Sequence, residues 1–263
     1  MSAALGIFDS GVGGLTVMHA IKQLLPHEHL IYYGDTARVP YGGKSSSTII
    51  RYSLENAKFL LKQQIKLLVV ACNTSNALAM QHLQELSNIP IIGVIEPGAE
   101  KAAAVTRNQH IAILGTKATI QSGAYQKAIQ KLLPESSVSA IACPLFVPIV
   151  EEHFFDHPAT RLIVQEYLQP LKNQKIDTIL LGCTHYPFLK KLIQDEMGPG
   201  VMLVDSAATC AEKICRTLLQ CNLQASSQKR ECTYYVSDDT EKFRLQAERL
   251  FGETIPKVLL KKR

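Results

Sequence analysis

Apolar residues in this chain come in short unbroken runs rather than in strict alternation with polar ones. Leu5 to Phe8, Leu30 to Tyr33, Leu67 to Ala71, Ile91 to Val94, Ile111 to Leu114, Val138 to Ala142, Thr178 to Leu181, Met202 to Val204 and Thr233 to Val236 are the runs of strand length. Continuous apolar runs of this kind mark strands covered on both faces, as in parallel sheets. Helical patterns separate them, and regular alternation of strand and helix predicts an α/β fold of mainly parallel sheet flanked by helices.

Two of the strand-to-helix junctions are alike. LLVVACNTSNALAM (Leu67 to Met80) and TILLGCTHYPFLKK (Thr178 to Lys191) share an apolar strand, a small residue, a cysteine, a polar pair and then a helix. The two cysteines are about 110 residues apart, the length of one α/β domain. GIFDSGVGG near the start is loosely echoed by AILGTKATIQSG from Ala112. The pattern predicts two similar halves, each presenting a thiol at the carboxyl end of a strand, where open α/β sheets place their ligands. The turn-like Glu96-Pro97-Gly98 after an apolar strand is read as the boundary between them.

With 263 residues the chain is long enough for two compact domains or one large one. Hydrophobic residues make up 46%, Trp is absent, and the mean hydropathy is +0.04, so the core is built mostly from Leu, Ile, Val and Ala. No stretch has the length of uncharged apolar sequence that a membrane span requires, and the opening MSAALGIFDS has no basic segment and is broken by Asp9. A cytoplasmic protein is expected. Its seven cysteines are odd in number and lack the spacing of a small disulfide scaffold, so they are read as reduced thiols. The net charge of +5 comes from dispersed basic residues, apart from Lys257 and the closing run Lys261 to Arg263. That run is read as a solvated tail, with no nucleic-acid partner expected, and the mild positive balance suits a small anionic substrate.

Candidate chemistry sits at strand ends. Asp9-Ser10-Gly11-Val12-Gly13-Gly14 follows one strand and opens a helix, which fits either a tight turn or an anion site for a phosphate or carboxylate. Its glycine spacing is not that of a dinucleotide fingerprint. Cys72-Asn73-Thr74-Ser75-Asn76 places a thiol at a helix start, where the pKa of a cysteine can fall far enough to supply thiolate near neutral pH. Gly182-Cys183-Thr184-His185-Tyr186-Pro187 repeats the layout, with His185 placed to orient or activate the second thiol and Pro187 to begin a helix. Two matched thiols suit a reaction with two faces, in which one removes a proton from a carbon and the other supplies one from the opposite side. Gly34 to Gly42 is a polar loop that reads as a recognition lid or as a surface Ω-loop. Cys143, Cys210, Cys215, Cys221 and Cys232 show no ligand spacing, so no metal is expected. No lysine constellation argues for a Schiff base, and no cofactor is expected.

The motifs FDSGVGG (Phe8 to Gly14), YYGDTARVPYG (Tyr32 to Gly42), ACNTSNA (Ala71 to Ala77) and GCTHYP (Gly182 to Pro187), in that order, resemble the bacterial glutamate racemases of the aspartate/glutamate racemase family. CPLFVPIVEE (Cys143 to Glu152) and VDSA (Val204 to Ala207) match weaker motifs of that family, so the resemblance spans nearly the whole chain. It implies two pseudo-symmetric α/β domains, 1–96 plus 208–263 and 97–207, with the substrate in the cleft between them. It also implies cofactor-independent interconversion of L- and D-glutamate for peptidoglycan, with Cys72 deprotonating the D and Cys183 the L enantiomer. Asp9 and His185 assist the two thiols, Glu151 is an acidic residue near the second, and Asp9, Ser10, Tyr41, Gly42, Asn73, Thr74, Thr184 and His185 contact the substrate. His153-Phe154-Phe155 departs from the pattern, since the family usually has a Gly there. A homodimer is expected from the family, as is, among some relatives, a contact with DNA gyrase. Aspartate racemisation, or glutamate binding by a regulator without turnover, are the alternative readings.

Overall fold

The computed structural model describes residues 3–225 and 231–261. Its elements in chain order are β1 (Leu5–Asp9), α1 (Leu15–Leu24), β2 (Leu30–Gly34), α2 (Ser46–Leu61), β3 (Leu67–Val70), α3 (Asn73–Gln84), β4 (Ile91–Gly93), α4 (Ile95–Val105), β5 (His110–Gly115), α5 (Lys117–Ser122), α6 (Ala124–Leu132), β6 (Ser137–Ala142), α7 (Phe146–Glu151), α8 (Pro158–Leu168), β7 (Thr178–Gly182), α9 (Lys190–Met197), β8 (Met202–Asp205), α10 (Ser206–Gln220), β9 (Cys232–Val236), α11 (Thr240–Phe251) and β10 (Val258–Leu260). All strand pairs are parallel, in a six-stranded sheet ordered β10-β9-β2-β1-β3-β4 and a four-stranded sheet ordered β6-β5-β7-β8.

The two orders explain the doubled cysteine motif. Around β1 the chain goes to β2 on one side and β3 on the other, and around β5 it goes to β6 and β7 in the same way. Such a reversal of strand order opens a crevice at the carboxyl ends of the two strands that flank it. Asp9 ends β1 and Cys72 follows β3, while Thr116 follows β5 and Cys183 follows β7. Each half therefore brings one thiol and one polar strand end to its own switch point.

Burial holds these strand ends in place. Every residue of β1, β3 and β7 is buried. One apolar cluster runs from Leu5, Ile7 and Val69 in the first sheet through α1, α4 and α10 to Ile111, Ile113 and Leu180 in the second. At roughly 1.5–3 kcal/mol for each buried Leu, Ile or Val, this shared core far outweighs any single polar contact in the cleft. A second cluster of Leu114, Phe146, Val150, Leu181 and Tyr186 closes the opposite face of the smaller sheet.

Three sequence readings are corrected. Glu96-Pro97-Gly98 is no turn but lies within α4, whose first turn accommodates Pro97 because a proline there gives up no helical hydrogen bond. The basic end is not a solvated tail as far as it is described: Val258–Leu260 pairs with β9, and Lys261 lays its amine over the rings of Tyr33 and Phe59. Residues 262–263 of that run, and 226–230 of the polar stretch before β9, lie outside the described residues. Pro187 lies second in a single 3₁₀ turn, Tyr186–Leu189, ahead of α9 rather than at the start of the α-helix itself. Among the described residues no helix is long and apolar enough to cross a membrane.

Candidate active site

The carboxyl ends of the two sheets enclose a cavity of about 350 Å³, lined among others by Ser10, Tyr41, Gly42, Cys72, Asn73, Thr74, Glu151, Cys183, Thr184 and His185. That volume is in the range of small-molecule sites. Both thiols open into it although their residues are only 5% and 6% exposed. Asp9 does not line it. It is fully buried, receives the Gly11 N–H on Oδ2 at 3.0 Å, and keeps Oδ1 without a partner.

Cys72 caps α3, accepting the Ser75 N–H on Sγ at 3.5 Å. The sequence suggested a low pKa here, and the structure reverses that. Burial first, and then the negative charge of Asp9, push the Cys72 thiol up to about 12, and the Ser75 donor only partly opposes them. Asp9 is itself raised from the usual carboxylate range by burial, against the opposing pull of His185 and the backbone donors.

The second thiol has a different environment. Cys183 Sγ lies 3.8 Å from His185 Nδ1, and His185 Nε2 lies 3.0 Å from Glu151 Oε1. Burial works against charge on the imidazole, but the hydrogen bonds to Cys183 and Glu151 outweigh it and raise His185 to about 10. The ring thus holds its proton at neutral pH. Gly13 lets the ring sit there, since a Cβ at that position would stand 2.5 Å from His185 and from Thr184 Oγ1. Gly13 is therefore explained by close packing of the two halves, and Gly14 by the approach of Asp9 and the Tyr32 hydroxyl within the first. In the same loop, Ser10 is the part that faces the cavity.

Glu151 ends α7, and the chain leaves it with His153 at φ +61°, donating its N–H to the Val150 carbonyl. This left-handed exit is the conformation a C-terminal glycine usually supplies. His153 therefore occupies a turn that a glycine would also fit.

The end of the Gly34 to Gly42 loop is packed into the site. Tyr41 is buried beside Cys72 and Ala118, its hydroxyl donates to Asp35, and it accepts from Asn56 Nδ2 at 3.0 Å. Arg38 also bonds Asp35. The Ala118 N–H donates to the Gly42 carbonyl at 3.1 Å, which ties the loop to the second half.

Several polar neighbours were not singled out from sequence. Thr116 and Thr119 form a hydroxyl cluster with Thr74, at 3.0 to 3.2 Å. Thr116 and Lys117 line the cavity, and both lie in the segment that echoes the first motif. The echo was the available signal. Pro144, Val147 and Pro148, from the weaker CPLFVPIVEE motif, supply apolar wall.

A family model described as Asp/Glu/Hydantoin racemase matches residues 6–214. The chain is 48% identical over 256 residues to a protein of Syntrophus aciditrophicus named glutamate racemase, covering 97% of this chain and 94% of that one. It superposes on a glutamate racemase isoform of Bacillus anthracis with a TM-score of 0.94 at 37% identity, covering 98% and 96%. It superposes equally, at 0.94 and 34% identity, on a glutamate racemase of Francisella tularensis solved in complex with D-glutamate, covering 99% and 98%.

Proposed function

The chain belongs to the Asp/Glu/hydantoin racemase family and racemises glutamate, and from that premise we propose that it does so with Cys72 and Cys183 as opposed acid and base. The observation that carries this reading is that two buried thiols, from matching strands of two sheets, open into one cavity.

The amino-acid Cα proton is far less acidic than a thiol, so the site must supply the difference. Enclosure removes water from around the attacking sulfur. Hydrogen-bond donors can stabilise the charge that develops towards the carboxylate as the proton leaves. Thr74, Thr116 and Thr184 offer hydroxyls for that purpose.

In the resting site Cys72 keeps its proton, and the second sulfur lies beside His185, whose ring is held as a cation by its bonds to Cys183 and Glu151. That state is set to receive the L enantiomer: Cys183 Sγ takes the Cα proton, and the Cys72 S–H gives its proton to the opposite face. The sulfurs have then exchanged protonation states, which is the arrangement that D-glutamate requires. Glu151 holds His185, and Asp9 sits behind Cys72 as the group that senses its charge. The proposal includes two domains, 1–96 plus 208–263 and 97–207, and a cytoplasmic homodimer that supplies D-glutamate for peptidoglycan.

Circular dichroism of L-glutamate and L-aspartate solutions tests it. L-glutamate should lose its signal and L-aspartate should not. Cys72→Ala and Cys183→Ala should each abolish the loss with little change in melting temperature, whereas Cys221→Ala, on the surface, should leave it intact. Turnover by either cavity variant at the wild-type rate would overturn the two-thiol reading.

A further inference from the structure

We propose that Tyr125, on α6 of the second half, is a positioning residue for this reaction, holding the Asn73 side-chain amide of the first half with Nδ2 turned into the cavity as a donor for a substrate carboxylate. The inference rests on the reading of this cavity as the racemisation site.

The Tyr125 hydroxyl donates to Asn73 Oδ1 at 2.6 Å, and both residues are buried. A primary amide has one accepting end and one donating end. Securing Oδ1 therefore decides where Nδ2 points. Nδ2 is buried and bonded to nothing in the protein, while Asn73 lines the cavity next to Cys72. An orphaned buried donor is unfavourable, and an anion arriving in the cavity relieves it. Without the phenol the amide can turn over, and its carbonyl would then face the incoming carboxylate.

The fold makes room for this one ring. A Cβ at Gly182, the residue before Cys183, would stand 3.0 Å from the Tyr125 ring and 2.8 Å from the Leu114 carbonyl. One at Gly98 would stand 3.4 Å from the ring. Burial pushes the phenol well above its ordinary pKa, so it remains a donor throughout the working range. The bond also crosses from α6 to α3, and it ties the donor beside one thiol to the half that carries the other.

Tyr125→Phe removes only the hydroxyl and keeps the ring that fills the space beneath Gly182. The expected result is a rise of about tenfold in KM for both enantiomers with kcat changed less than about threefold, because a carboxylate contact is made in ground and transition states alike. In an Asn73→Ala background the same substitution should add less than about twofold, since the residue it positions is gone. A merely structural tyrosine would give the same increment in both backgrounds. Asn73→Asp tests the orientation without altering Tyr125: Oδ1 can still accept from the phenol, and a carboxylate oxygen replaces the donor. Its KM should exceed that of Asn73→Ala. An unchanged KM in Tyr125→Phe, an equal increment in the Asn73→Ala background, or an Asn73→Asp enzyme that binds as well as Asn73→Ala would each overturn the proposal. If wild-type protein failed to racemise glutamate, the functional reading would fall instead.

Discussion

Sγ of Cys183 stands 3.8 Å from Nδ1 of His185, an imidazole that is held as a cation. Cys72 has no such partner. Its sulfur accepts one backbone N–H and lies in the field of a buried aspartate. The two thiols of a nearly symmetric fold therefore rest in different electrostatic surroundings, and the first is held up by burial and a neighbouring carboxylate.

Alkylation should expose that difference, because the thiolate is the nucleophile. At pH 7.5 without substrate, iodoacetamide should label Cys183 at least about tenfold faster than Cys72, as read by peptide mass spectrometry. Glu151→Gln, which weakens the hold on the His185 proton, should slow Cys183 and leave Cys72 unchanged. Equal labelling of the two cavity cysteines would contradict the asymmetry.

The raised Cys72 also makes stability depend on pH. A cysteine in the unfolded chain releases its proton near 9.0, whereas folded Cys72 retains it up to about 12. Between those values the native state binds more protons than the unfolded one, so this contribution is fully present below pH 9 and is lost as pH rises. The slope it adds is at most about 1.4 kcal/mol per pH unit. Cys72→Ala should therefore show a shallower alkaline decline in denaturant midpoint than the wild type. Parallel profiles above pH 9 would show that the thiol is not raised.

Gly13 is the point at which the two halves press together, and any side chain there must displace His185 or Thr184. Gly13→Ala should lower kcat/KM by about a hundredfold, since a small misplacement of a catalytic group can cost that much. The substitution is felt by the second thiol's partner although it is made on the first half. Wild-type kinetics in Gly13→Ala would mean that this contact does not matter.

His153 occupies a left-handed turn with its Nδ1 buried and unpartnered. His153→Gly should stabilise the protein by about 1 kcal/mol, because glycine adopts that conformation without the Cβ penalty. Thermal unfolding should move upward by a few degrees with racemisation kept within about twofold. A lower melting temperature would show that the His153 ring, which packs edge-on against Phe155, contributes more than the turn costs.

The strands and the thiol pair were legible because they depend on local pattern. Runs such as Leu67 to Ala71 announce burial, and a cysteine ending two such runs announces a doubled site. β10 was missed because Val258–Leu260 is three residues long and sits among lysines, and only pairing with β9 makes it a strand. The state of Cys72 was misread for a related reason. A helix N-terminus is visible in sequence, whereas the low dielectric and the Asp9 charge that overrule it come from chain far away. Tyr125 and Thr116 were invisible as partners of Asn73 and Thr74, because their contacts join halves whose alignment no local pattern encodes.

Hydrogen isotope transfer at Cα tests the opposed thiols most directly. In a two-thiol site the proton taken from one face stays on the first sulfur, while the second sulfur delivers a solvent-derived proton to the other face. Racemisation in D2O, started from either enantiomer and stopped at low conversion, is followed by chiral separation and mass spectrometry. Early product should be almost wholly deuterated at Cα, with recovered substrate still mostly protiated. A single base would carry part of the abstracted proton across, and substantial protium in the early product would contradict Cys72 and Cys183 as the opposed pair.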